Sequence, residues 1–172
     1  MRLLSGVYLP EETADVIDGG DEFTDWYHEA WPRVVRALVT YTGDRDRGAD
    51  AAAEAFARAL ERWSEPNRRP EQPTTWVIVV AFNVAKKQYM RNRRQHPPEI
   101  PKLVELDAPD LDLWNAVRQL PRRQRQAVAL RYASDLTERD VAEVMGISQG
   151  AVAATLSSAR SRLRTLLEGG RS

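Results

Sequence analysis

The stretch Thr137-Glu138-Arg139-Asp140-Val141-Ala142-Glu143-Val144-Met145-Gly146-Ile147-Ser148-Gln149-Gly150-Ala151-Val152 decides the fold class. Val141, Ala142 and Met145 fall on one side of a short helix, and Ala142 is small enough for a second helix to cross close by. Gly146 suits the left-handed residue that ends such a helix. Ile147 supplies a core plug, and Ser148 can cap the N-terminus of the next helix. Val152, Leu156, Ala159 and Leu163 then continue a buried stripe. A short helix, a glycine turn, a capping serine and a longer helix make the plan of a helix-turn-helix. In that plan the second helix lays its first turns along base edges in the major groove. A plain helical hairpin would use the same residues, so the motif alone leaves DNA binding and simple packing both open.

Outward from this motif the chain reads as all-α. Helix-period patterns cover about 111–119, 121–133, 137–145 and 149–168 on the C-terminal side. Residues 96–110 hold Pro97, Pro98, Pro101 and Pro109, with Glu99, Glu105, Asp107 and Asp110 against one Lys, which reads as an extended acidic linker. Before it, Phe23, Trp26, Tyr27, Ala30, Val34, Leu38 and Tyr41 predict a helix over 21–42, with Pro32 marking a kink or break. An Ala-rich helix follows over 46–63. A loop with Pro66, Pro70 and Pro73 leads to a third helix, capped at Thr74 or Thr75 and running to Arg94. Residues 1–20 read as a disordered acidic arm. The expectation is two small helical domains, 21–96 and 111–168, joined by an extended linker over 97–110, the C-terminal domain containing the helix-turn-helix.

Charge is the second signal. The 25 basic and 25 acidic residues cancel, but they are not mixed. Met1 to Ala30 carries eight acids and one Arg, Trp76 to Arg94 five basic residues and no acid, and Arg118 to Arg131 five Arg and no acid. Nucleic acid responds to the local field rather than the sum. The absence of cysteine removes disulfides, thiolate zinc sites and thiol nucleophiles. No apolar run reaches the ~18 residues of a membrane span, and the acidic start lacks the basic region of a secretory signal. His28 and His96 lie far apart, and no Gly-rich phosphate loop or Ser-His-Asp arrangement is present. A non-enzymatic, cytoplasmic protein is expected.

Both halves together resemble the extracytoplasmic-function sigma factors of the sigma-70 family, in an actinobacterial-like form, over about residues 21–167. Leu120-Pro121-Arg122-Arg123-Gln124-Arg125 followed by Leu130-Arg131-Tyr132 is similar to the stretch preceding that family's −35-reading helix-turn-helix. Asp50 and Glu54-Ala55-Phe56 resemble its polymerase-binding helix. Trp76, Ala81, Asn83 and Ala85 up to Arg94 resemble its promoter-melting helix. The chain departs from the family pattern at Ala53, where Gln is common, and at Lys87, where an acid is common. The recognition helix departs too: Ala151, Ala153, Ala154, Thr155 and Ser158 stand where the family usually offers Thr, Lys, Ser, Arg and Arg.

The resemblance implies a protein that binds RNA polymerase core through its clamp helices and flap, recognises the −35 and −10 elements of double-stranded promoter DNA, and assists melting. An anti-sigma factor is a further candidate partner, and neither a membrane nor a cofactor is implied. Polymerase contact falls to Asp46, Asp50, Glu54 and Arg58, with Phe56, Leu60 and Trp63 mainly core. At the −10 element, Asn83 offers both a donor and an acceptor to an extruded base. Trp76 is read equally as a stacking platform or a buried anchor, while Lys86, Lys87, Arg91, Arg93 and Arg94 face phosphates. The loop with Asn67, Arg68 and Arg69 forms the lip of a base pocket. At the −35 element, Arg122, Arg123 and Arg125 anchor phosphates, and Gln149, Ala154, Thr155, Ser157, Ser158, Arg160 and Arg162 form the reading face. The acidic linker is expected to occupy a basic, RNA-carrying channel of polymerase. Two other functions fit parts of the chain. A stand-alone helix-turn-helix regulator leaves the basic Asn83 helix unexplained. A degenerate sigma-like protein that binds only polymerase or an anti-sigma factor suits the Ala-rich recognition helix.

Overall fold

The computed structural model describes residues 12–95 and 111–169; the side chains of 12–19, Pro66, 92–95 and Leu111 are outside the description. Every regular element among these residues is helical: α1 Glu12–Thr42, α2 Arg45–Trp63, α3 Pro73–Gln95, α4 Leu111–Arg118, α5 Arg122–Val128, α6 Glu138–Met145 and α7 Gln149–Gly169. The predicted linker over 97–110 lies outside the described residues.

The N-terminal helices form because each carries one apolar stripe. Ala30, Val34, Ala37, Leu38 and Tyr41 of α1 meet Ala51, Ala52, Ala55, Phe56 and Ala59 of α2 and Val77, Ile78, Ala81, Phe82 and Ala85 of α3, all of them buried. The alanines let α1 and α2 cross closely, closest at Gly48, where an added Cβ would stand 2.9 Å from both the Val39 Cγ2 and the Val39 backbone nitrogen. Gly43, at φ 72°, ends α1, and its N–H donates to the Val39 carbonyl at 2.8 Å. Asp44 then caps α2 by accepting from the Arg47 N–H at 3.0 Å.

Two expectations are corrected here. α1 begins at Glu12, inside the stretch read as a disordered arm, and runs through Pro32 without a break. Proline removes one helical N–H, but packing on both sides of it outweighs that loss: Tyr27 and Trp31 both contact the Phe56 ring, and Val34 is fully buried. Val77 and Ile78, apolar residues with strand propensity, sit fully buried in the middle of α3.

The C-terminal helices pack around Leu120, Ala127, Val128, Leu130, Val141, Val152, Leu156 and Ala159, which continue the same buried core. The single helix predicted over 121–133 is instead α5 followed by a wider π turn, Ala129–Ala133. Ser134 closes that turn: its N–H donates to the Ala129 carbonyl at 3.1 Å and its hydroxyl to the Leu130 carbonyl at 2.9 Å, which satisfies a fully buried polar side chain. Thr137 and Asp140 form a reciprocal capping box on α6, and Gly146, at φ 65°, ends it. Ser148 Oγ accepts from the Ala151 N–H at 3.2 Å at the start of α7, as the motif predicts.

The two helical groups touch. Arg36 Nε of α1 donates to the Ala133 carbonyl on the π turn at 3.1 Å. Arg122 Nε of α5 donates to the Tyr41 hydroxyl at 2.6 Å.

Candidate nucleic-acid interface

α3 presents a basic face, interrupted by the exposed Tyr89 and Met90. Val77, Ile78, Ala81, Phe82, Val84 and Ala85 are buried on its other side, which leaves Asn83, Lys86, Lys87 and Arg91 exposed. Arg93 and Arg94 fall in the last turn of α3, where side chains are outside the description. Asn83, Lys87 and Arg91 share a groove with Glu54 and Arg58 of α2, where an Arg58 guanidinium nitrogen donates to Glu54 Oε1. The predicted polymerase helix and the predicted melting helix therefore meet along one surface. Asp46 and Asp50 are exposed on α2 as well. Phe56 and Trp63 are core, as expected, whereas Leu60 is 50% exposed.

Trp76 is half-buried against the core with the Arg62 guanidinium 5.1 Å from its ring, so the anchor reading describes it better than a free stacking platform. In the loop before α3, Asn67 and Arg68 are exposed, and Arg68 pairs with Glu65 at 2.9 Å. Arg69 does not face outward with them. Its guanidinium lies 3.8 Å from the centre of the Trp63 ring and grips both carboxylate oxygens of Glu22 on α1. That grip holds the Glu22 carboxyl below its ordinary pKa and raises that of Arg69.

The helix-turn-helix presents Gln149, Ala151, Ala153, Ala154, Ser157, Ser158 and Arg162 on the exposed side of α7, with Val152, Leu156 and Ala159 buried beneath. Two predicted readers are already bonded: the Thr155 hydroxyl donates to the Ala151 carbonyl at 2.7 Å, and Arg160 Nη1 donates to the Tyr132 hydroxyl at 3.1 Å. Among the three predicted phosphate anchors, only Arg123 is exposed. Arg122 and Arg125 turn into the junction with α1 and α3, a correction to their expected role in this arrangement of the chain. The Arg122 guanidinium covers the Tyr89 ring at 4.3 Å, and Arg125 Nη1 donates to the Arg118 carbonyl at 2.8 Å. Burial raises the Tyr41 phenol pKa, against the pull of Arg122, and lowers that of the Arg125 guanidinium.

Residues 26–95 match the family Sigma-70 region 2, and residues 110–163 match Sigma-70, region 4. The two matches cover the three-helix core with the α3 polar face, and the helix-turn-helix, in the order that the sequence pattern implied.

The chain belongs to the sigma-70 family, in the extracytoplasmic-function group.

Several curated members of this sigma family are similar over most of the chain. BldN of Streptomyces coelicolor, an ECF RNA polymerase sigma factor, is 25% identical over 147 residues, 77% of this chain and 55% of that protein. EcfG of Rhodopseudomonas palustris is 24% identical over 160 residues, 86% of each chain. The chain spans 36% of the Rhizobium meliloti protein R00370, at 28% identity. The sigma factor RpoE, solved with the anti-sigma factor NepR from Bartonella quintana, shares the fold at a TM-score of 0.72 and 20% identity, over 86% of this chain and 97% of that one. Among the described residues no group of His, Cys, Asp and Glu could hold a metal ion, and no helix is long and apolar enough to cross a membrane.

Proposed function

We propose that this chain is a promoter-specificity subunit of RNA polymerase, acting in the cytoplasm without catalytic chemistry of its own. The observation that carries the reading is one of placement. Asn83 stands exposed on α3 at the head of a basic face, beside the charged face of α2, in a chain that also carries a helix-turn-helix. Core polymerase docks on α2 through Asp46, Asp50, Glu54 and Arg58. Asn83 takes an extruded −10 base by its hydrogen-bonding edge, and Lys86, Lys87 and Arg91 neutralise the neighbouring phosphates. The domain over 111–168 takes the −35 element through α7.

The closed packing of the two helical groups must then open on the promoter. Elements centred about 25 base pairs apart are separated by roughly 85 Å at 3.4 Å per step. The 15 residues over 96–110 can span at most about 50 Å. A linker of that reach, added to the widths of the two domains, covers the distance only if the Arg122–Tyr41 and Arg36–Ala133 contacts part. Their release returns Arg122 and Arg125 to the surface as phosphate anchors.

A second reading, a sigma-like protein that binds polymerase without reading −35 DNA, is favoured by the three exposed alanines of α7 and by the internal bonds of Thr155 and Arg160. The test between them is open-complex formation. Permanganate reactivity of promoter DNA, in the presence of the chain and core polymerase together, supports the first reading. Co-elution with core polymerase and no DNA opening supports the second.

A further inference from the structure

The loop between α2 and α3 is tied to α1 at two points. Past its middle, Arg69 lies between two groups from different helices: the Glu22 carboxylate of α1, gripped through both guanidinium Nη atoms, and the Trp63 ring at the end of α2, 3.8 Å away. Trp63 is itself packed in place, stacked on Trp26 at 4.8 Å between centroids and edge-on to Phe23 at 5.3 Å. Just beyond the loop, in the first turn of α3, Thr74 Oγ1 accepts from Trp26 Nε1 at 3.0 Å. Asn67 and Arg68 stay exposed on a single 3-10 turn, Pro66–Arg68, bracketed by Trp63 at the end of α2 and by Arg69, which sits on the Trp63 ring.

A short loop with two prolines, and a third opening α3, has few internal hydrogen bonds to fix its shape, so its conformation is set by what it is tied to. An exposed ion pair alone would hold it weakly. This pair is different in kind: the planar fork matches both carboxylate oxygens while its face covers an indole, so one side chain satisfies two rigid partners at once. The Arg69 side chain is only about one-third exposed, and its donors are directed at Glu22, which makes it a poor candidate for nucleic-acid contact and a good one for fixing the loop.

We propose that Arg69 is a positioning residue for −10 recognition: held by Glu22 and Trp63, it fixes the loop that presents Asn67 and Arg68 to the extruded base. The proposal rests on the promoter-opening function proposed above. It makes Glu22, on a helix that does not enter that pocket, a determinant of promoter choice.

The experiment uses the full chain assembled with core polymerase, on promoter DNA selected by the wild-type holoenzyme from a library randomised across the −10 element. Opening rates on the selected and on single-base-substituted −10 sequences give a discrimination ratio for wild type, Glu22→Gln, Arg69→Lys and the double exchange Glu22→Arg with Arg69→Glu. Arg69→Lys keeps the charge but loses the fork and the stacking plane. Both single variants are expected to lower the discrimination ratio about fivefold while core affinity stays unchanged, and the double exchange to recover the part that the ion pair supplies, though not the part that rests on the Trp63 ring. A direct DNA contact by Arg69 would leave Glu22→Gln at the wild-type ratio and the double exchange defective, and that result overturns the proposal. Unchanged ratios in all variants overturn it too. If the wild-type holoenzyme opens no DNA from the library, the sigma reading itself fails and takes this proposal with it. Hydrogen exchange over residues 64–72 of the free chain reads the tie separately: faster exchange in Glu22→Gln is expected, and identical exchange contradicts it.

Discussion

Arg122 Nε, in the first turn of α5, donates to the hydroxyl of Tyr41 on α1 at 2.6 Å, across 81 residues of sequence. The Tyr41 ring is buried at 4% exposure, and the Arg122 guanidinium also lies over the Tyr89 ring. One side chain of the helix-turn-helix domain is thereby fixed to two helices of the other. Tyr41→Phe keeps the ring and removes the acceptor, which leaves part of a charged, half-buried group unpaired. The expected loss is about 1–2 kcal/mol in urea unfolding of the full chain. Arg122→Ala combined with Arg36→Ala, which removes the second polar tie, should loosen the junction and raise the radius of gyration in small-angle scattering. An unchanged scattering profile would count against these two contacts as the holding ones.

Gly48 is expected to tolerate no side chain. An alanine Cβ there would meet Val39 backbone as well as side chain at 2.9 Å, and backbone cannot swing aside. Gly48→Ala should cost about 1–3 kcal/mol by overpacking. Gly150→Ala is the matched control, because nothing lies within 4 Å of its Cβ and it sits in the first turn of α7. That variant should be neutral or stabilising by up to about 1 kcal/mol. Thermal unfolding of the two variants side by side checks both values.

Asn83→Ala is expected to slow or abolish DNA opening and to leave polymerase binding intact. Its amide is exposed and shares the groove with Glu54 and Arg58 without bonding either. Permanganate footprinting reports opening, and co-elution with core reports binding. Wild-type reactivity in the variant would remove Asn83 from the melting role.

The −35 contact should be weak, with a shallow salt dependence. Ala151, Ala153 and Ala154 can touch thymine methyl groups but offer guanine no bidentate partner. Ala153→Lys adds a cation on the exposed side of α7, and the slope of log affinity against log salt should steepen by about 0.9 for the one new phosphate contact. Fluorescence anisotropy with the full chain in a salt series measures it. A wild-type slope already typical of many phosphate contacts would mean that the reading face lies elsewhere on the domain.

Local grammar made most of the fold legible. The glycine at 146, the capping Ser148 and the stripe Val152, Leu156, Ala159 placed the helix-turn-helix, and each behaves in the structure as its chemistry requires. Apolar spacing likewise found the core of α1 and, through Phe56 and Trp63, part of that of α2. The main failures share one physical origin: partners distant in sequence. Pro32 reads locally as a breaker, and only the aromatic packing on either side of it keeps α1 whole. Arg69 reads as part of the lip of a base pocket, and Arg122 and Arg125 as cations for phosphate, because a sequence shows a charge and not the carboxylate or ring that already holds it. Glu22 lies 47 residues from its arginine, and no periodicity connects them. The Thr137-x-x-Asp140 capping box was within reach of local reading, since both residues and their spacing are signals of a helix start. The π turn at Ala129–Ala133 carries no such signal.

Run-off transcription with the full chain and purified core polymerase tests the central claim most directly. The expected result is transcript from templates carrying the selected promoter, dependent on both proteins, lost with Asn83→Ala and lost when the −10 element is scrambled. Tight, sequence-selective DNA binding by the chain alone, with no transcript when core polymerase is added, would contradict it.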